Sequence, residues 1–160
     1  MATIVGSSGE HRSRWRSVLY AFGGFLLAAY FAVVIALAVN EEKLIFFPPQ
    51  EFPHTQPVEV GPEVDDLNIP VEGTSYVHAW WISAEASDAP TILYLHGNAG
   101  VLEREANVEV PLLRETGANL LLVDYRGYGT SSPVQPDGRT TREDALASFH
   151  YLEHERHVPA

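Results

Sequence analysis

The chain contains no cysteine. That excludes a disulfide, a thiol nucleophile, a thiolate-ligated zinc site and a lipoprotein anchor. Neither G-x-x-x-x-G-K-[ST] nor G-x-G-x-x-G occurs, so the glycine loops that cradle nucleotide phosphates are missing. G-x-S-x-G, the turn that exposes a serine nucleophile, is also absent. Positive charge is scarce: 10 Lys and Arg stand against 21 Asp and Glu, a formal net charge of −11. No basic stripe with interleaved aromatics is present, and an acidic surface repels polyanions at long range, so no nucleic-acid partner is expected.

What is present is apolar enough to fold. With 46% hydrophobic and 19% charged residues the composition is that of a globular chain, and 160 residues hold one domain. The charge is unevenly placed. Residues 1–40 carry Arg12, Arg14 and Arg16 against Glu10, which gives +2, while the remainder carries twenty acids against seven bases, which gives −13. Residues 18–39 contain no charge at all. As a helix they extend ~33 Å, enough to cross the hydrocarbon core of a bilayer. Three arginines and Trp15 precede this run, and Glu41 and Glu42 follow it with only Lys43 to offset them. The positive-inside rule then predicts a basic cytoplasmic tail (1–17), a transmembrane helix (18–39) in contact with bilayer lipid, and a globular part (41–160) on the outer side. The alternative is a signal peptide cleaved near Ala38, after Ala36-Leu37-Ala38, and a secreted product. The run exceeds the usual apolar length of a signal peptide, which favours a retained anchor.

After the apolar run, 41–49 (EEKLIFFPP) reads as an edge strand or docking segment closed by Pro48-Pro49. Residues 50–66 read as a loop rich in proline and acid. Residues 67–83 read as strands around a turn at Gly73. There His78 is expected at the surface, with one of Trp80 and Trp81 in the core and the other partly exposed. Residues 91–95 read as a buried strand, and 102–116 as a helix that Pro111 should break or restart and Gly117 should end. Residues 119–123 form the next strand. A final helix is predicted from Thr140, with Glu143 completing a capping box and Ala145, Leu146, Phe149 and Leu152 as the apolar face. Strand, helix, strand, helix in this order predicts an α/β fold with a parallel sheet and right-handed crossovers.

Two of these strands end in glycine-rich turns. The first runs into His96-Gly97-Asn98-Ala99-Gly100, the second into Asp124-Tyr125-Arg126-Gly127-Tyr128-Gly129-Thr130-Ser131. Backbone N–H groups in the first turn, ahead of a helix, are suited to stabilising negative charge. This pair of motifs resembles the front half of an α/β-hydrolase. The apolar run followed by Lys-Leu-Ile-Phe-Phe-Pro is similar to its membrane-anchored branch, the Bem46-like and serine aminopeptidase (S33)-like hydrolases. The resemblance covers residues 41–160. It implies the N-terminal half of an α/β-hydrolase sheet, and a serine hydrolase that cleaves ester, thioester or amide bonds of an acyl or other small-molecule substrate without a cofactor. By the same resemblance Asn98 supplies an oxyanion-hole N–H to which Gly97 gives access. His96, Asp124, Arg126, Gly127 and Gly129 shape the loops, with Asp124 and Arg126 pairing or capping backbone groups. The catalytic Ser, Asp and His are expected beyond residue 160, so the chain alone is expected to be inactive. The contrasting possibility is a membrane-tethered binding module without catalysis.

Two features invite other assignments. Gly129-Thr130-Ser131-Ser132-Pro133 approaches a nucleophile elbow, but Pro133 replaces its second glycine, and Ser131 is not expected to attack substrate. His150, His154 and His157 follow i, i+4, i+7 spacing, and two of them could hold zinc. His154-Glu155-Arg156-His157 falls one residue short of H-E-x-x-H. A solvated helix face without metal is the expectation.

Overall fold

A computed structural model describes residues 8–49 and 64–159, with side chains from residue 14. The start of the basic tail (1–7) and most of the proline-rich loop (50–63) lie outside the described residues. The chain divides into two compact units, 1–41 and 42–160.

The first unit is a single helix, α1 (Ser8–Val39), of 32 residues. Within Arg14–Val39 an 18-residue stretch reaches a mean hydropathy of 2.4, and none of that stretch is buried. A helix that is apolar on every side and covered by nothing is suited to a lipid environment. Asn40 ends it, donating its side-chain Nδ2 to the Ala36 carbonyl at 2.8 Å.

The second unit opens with a short turn of helix, α2 (Glu41–Ile45), where the sequence pattern suggested an edge strand. Four strands follow in one sheet: β1 (Val64–Pro70), β2 (Tyr76–Ile82), β3 (Thr91–Leu95) and β4 (Asn119–Asp124). Their order is β1-β2-β4-β3. β1 begins at Val64, inside the stretch read as loop. β1, β2 and β4 are antiparallel, and β3 lies parallel to β4, so the sheet is mixed. The parallel pair is joined by α3 (Leu102–Arg114), and α4 (Gly138–His154) follows β4.

Period-two alternation sorts the side chains between the two helices. Trp80, Ile82, Leu120 and Leu122 pack against Leu102, Ala106 and Val110 of α3. Val77, Ala79, Trp81, Leu121 and Val123 pack on the other face with Leu152 of α4. Both tryptophans are therefore buried, Trp80 at 1% and Trp81 at 6% exposure. The expectation of one partly exposed ring fails because both sheet faces are covered. His78 lies on the α3 face and is also buried, against the surface position expected from sequence.

α3 runs through Pro111 to Arg114. Proline there removes one backbone donor, but only one turn of helix remains beyond it. The chain then reverses at Gly117, φ +69°. α4 starts two residues earlier than predicted. Asp137 is its N-cap, accepting from the N–H groups of Arg139 (2.8 Å) and Thr140 (2.6 Å), while Thr140 Oγ1 accepts from the Asp137 N–H. Glu143 is thereby free for another task. The buried face of α4 is Thr140, Asp144, Ser148 and Leu152, whereas Leu146 and Phe149 are exposed. The predicted apolar stripe was rotated because Arg126 draws Asp144 inward.

Candidate functional site

Parallel pairing brings the carboxyl ends of β3 and β4 to one end of the sheet, with the two glycine-rich loops side by side. The first loop starts at His96. Its ring is buried against Tyr125 and Tyr128, with 5.0 Å between centroids in each case. His96 Nδ1 lies 2.7 Å from the Gly97 carbonyl. A carbonyl only accepts, so Nδ1 carries the proton. Gly97, Asn98 and Ala99 are exposed beyond it. A Cβ built on Gly97 would meet nothing within 4 Å.

The Asn98 side chain is fully engaged. Its Oδ1 accepts from the Tyr128 hydroxyl and from the Phe47 backbone N–H, both at 2.9 Å, and its Nδ2 donates to the Ile45 carbonyl. Phe47 and Ile45 belong to the segment read as an edge strand or docking segment. It docks on this loop through one carboxamide. No described residue accepts from the Asn98 backbone N–H. Burial raises the Tyr128 phenol above its ordinary pKa, which keeps its hydroxyl a donor at neutral pH. Ile45, Phe46, His96, Gly97, Asn98, Tyr125, Tyr128 and Thr141 enclose a cleft of about 190 Å³. That lining brings one imidazole and no carboxylate, which is not a metal-binding donor set.

The second loop is locked from within. Gly127 (φ +85°) and Gly129 (φ +51°) occupy left-handed backbone. A Cβ on Gly129 would sit 1.8 Å from Asp124 Oδ2, and one on Gly127 2.4 Å from the Val134 carbonyl. Arg126 does not pair with Asp124, one of the two roles that the resemblance implied for them. Its Nε donates to Asp144 at 2.5 Å, its Nη2 to Glu143 at 2.9 Å, and its backbone N–H to Asp144 at 2.8 Å. The loop is thus bolted to the first two turns of α4. The Arg126 hydrogen bond holds Glu143 below the ordinary carboxylate range.

Asp124 instead joins the two histidines. Its Oδ1 accepts from the Leu102 N–H at 2.9 Å, capping α3, and lies 3.4 Å from His96 Nε2. Its Oδ2 is 4.0 Å from His78 Nδ1, and His78 Nε2 donates to Asp66 at 2.5 Å. Burial pushes the Asp124 carboxyl up, but His78, His96 and the Leu102 N–H outweigh it and hold it low. Burial alone would lower His78, and Asp124 and Asp66 on either side raise it. Ser131 Oγ donates to the Asp124 carbonyl at 2.6 Å and accepts from the His78 N–H at 2.7 Å. It is buried and bridges β2 to β4.

The structure therefore brings His96, Gly97 and Asn98 together at the cleft, and places Asp124, Arg126, Gly127 and Gly129 behind it as support. Sequence reasoning missed four contributors: Tyr125, Tyr128, Asp144 and the N-cap Asp137. Only the last had a local signal, the Asp-Gly-Arg-Thr run ahead of the helix. Of the three histidines predicted on one face, His157 has left the helix, at φ +56°.

No protein-family profile matches the chain. Lysophosphatidylserine lipase ABHD12 of Rattus norvegicus is 32% identical over 173 residues, covering 90% of this chain and 42% of the relative. Alpha/beta hydrolase domain-containing protein WAV2 of Arabidopsis thaliana is 27% identical over 142 residues, covering 85% of this chain and 44% of the relative. Among solved structures, an esterase of Pyrococcus furiosus superposes with a TM-score of 0.52 at 25% identity, over 68% of this chain and 41% of the esterase. The chain spans less than half the length of these relatives. With strands that end in the two glycine-rich loops, and with relatives and a structural neighbour of this one kind, the chain belongs to the α/β-hydrolase superfamily.

Proposed function

We propose that residues 42–160 form the oxyanion side and one wall of a membrane-anchored serine hydrolase site of the Bem46-like branch. The observation that carries this is the loop after β3. It lines a cleft with Gly97 and Asn98 while the Asn98 carboxamide is spent on anchoring the loop. A backbone donor is useful as an oxyanion stabiliser when its loop is fixed before the reaction. In this reading the nucleophile, acid and base are not among residues 42–160. β3 lies at the border of the sheet, where a further strand can pair.

α1 serves as the anchor, with the N-terminus cytoplasmic and the globular unit outside. With an ABHD12 relative named for lysophosphatidylserine, the substrate class is a lysophospholipid or a similar single-chain acyl ester. Its carbonyl oxygen would accept from the Asn98 N–H as the serine adds to the carbonyl carbon.

The test joins residues 1–160 to a second half that carries G-x-S-x-G and the remaining triad. The joined protein is expected to hydrolyse acyl esters. Gly97→Val, whose Cβ meets nothing within 4 Å, is expected to lower kcat on the order of 10²-fold. Unchanged turnover in Gly97→Val would sink the oxyanion assignment. Alkaline extraction that releases a shortened chain starting near Val39 would sink the anchor.

A further inference from the structure

The last helix carries a second set of chemical groups, away from the cleft. His150-Tyr151-Leu152-Glu153-His154 spells H-x-x-E-H on a helix, the order in which one class of zinc enzymes arranges two histidines and a glutamate. Residues four apart share a helix face. The two imidazoles stand side by side, with ring centroids 5.9 Å apart and planes 19° from parallel. Glu153 Oε2 lies 3.1 Å from His150 Nδ1. One donor atom from each of the three residues lies within 4.8 Å of the others. Zinc ligands sit ~2.0–2.2 Å from the metal, so small rotations about the side-chain bonds bring all three into range.

We infer that His150, Glu153 and His154 form a binding site for a borderline divalent cation, Zn²⁺ or its neighbours Ni²⁺ and Cu²⁺. Two imidazoles and a carboxylate are a known zinc donor set, and imidazole discriminates against Mg²⁺ and Ca²⁺. His150 and His154 are exposed, so no apolar burial has to be undone when the cation and its waters arrive. The two rings also line a groove of about 590 Å³ between α4 and the turn after β1, together with Ile69, Val71, Leu146 and Tyr151. The cation therefore sits on the rim of that groove with a coordination position left for water or for an anionic group of a groove ligand. His157, which the sequence placed on the same face, is not part of the site. The site does not depend on the hydrolase reading, since none of its residues reaches the cleft beside Asn98.

The experiment is calorimetric titration of the tag-free 160-residue chain, in detergent micelles, with ZnCl₂, NiCl₂ and MgCl₂. One Zn²⁺ per chain is expected, with Ni²⁺ binding at the same site and Mg²⁺ giving no heat. His150→Ala and His154→Ala should each weaken Zn²⁺ by at least about tenfold. His157→Ala should stay within about twofold of the parent. All three residues are exposed, and an unchanged far-ultraviolet spectrum verifies that each variant stays folded. In the parent chain, Ni²⁺ should broaden the ring resonances of His150 and His154 before those of the buried His78 and His96. Zn²⁺ affinity that survives in both His150→Ala and His154→Ala, or broadening that spares these two rings, would overturn the site.

Discussion

The two loops at the carboxyl end of the sheet are made from similar residues and are held in opposite ways. The loop after β4 is fixed by groups that cannot be altered without collision: two left-handed glycines, and an arginine bound by two carboxylates. The loop after β3 has an open backbone at Gly97, and one exposed side chain, Asn98, ties it to a segment far away in sequence. One loop is scaffold. The other presents backbone to a cleft while its own side chain keeps it still. A motif match alone does not separate these roles. Where each side chain's hydrogen bonds go does.

The sharpest way to break this comparison is to give each loop the same methyl group. Gly129→Ala puts a Cβ 1.8 Å from Asp124 Oδ2 on backbone with φ +51°. It is expected to cost on the order of 4 kcal/mol or more and to abolish cooperative thermal unfolding. Gly97→Ala meets nothing within 4 Å and should stay within about 0.5 kcal/mol. Equal losses in the two melts would erase the distinction.

Next in size is Asp144→Ala. It leaves the buried Arg126 guanidinium without its closest partner and is expected to cost about 3–5 kcal/mol by chemical denaturation. Glu143→Ala removes a partner that solvent already screens and should cost clearly less than Asp144→Ala. A larger loss from Glu143 would mean that the loop is bolted at the wrong residue.

How far the sequence alone carried follows from where the determining partners lie. Strands and helices were legible because period-two and period-3.6 patterns are local. Pro111 was over-read, since one missing donor near a helix end does not stop it. His78 lies on the face that α3 covers and Trp81 on the face that α4 covers, so neither is exposed, and sequence alternation does not reveal that both faces are covered. The Arg126–Asp144 pair spans 18 positions and the Asn98–Phe47 bond 51, so neither had a local signature. Glycine spacing identified both loops. It could not tell that Asn98 spends its side chain on the chain's own Ile45–Phe47 segment.

Two smaller effects sharpen the account. His78 has a raised pKa, so its contribution to stability is complete below the ordinary histidine value of about 6.5 and is lost as pH rises through the folded value. Asp124 is lowered, and its contribution is lost only as pH falls below the ordinary carboxylate range. The thermal midpoint should therefore decline as pH rises above about 6.5, and His78→Gln should flatten that decline. A midpoint that rises over this range would contradict the His78–Asp124 pairing. Asn98→Ala should cost only about 1 kcal/mol, yet it should remove hydrogen-exchange protection from the Phe47 amide. Protection that persists would show that the segment is held by something other than this clamp.

The central proposal is that this chain supplies the oxyanion side of a serine hydrolase and that Ser131 is not its nucleophile. Labelling by a fluorophosphonate probe tests it most directly. The 160-residue chain should remain unlabelled, and a protein joining it to a G-x-S-x-G-bearing second half should label whether or not it carries Ser131→Ala. Labelling of the 160-residue chain that vanishes in Ser131→Ala would contradict the account and make Ser131 the nucleophile.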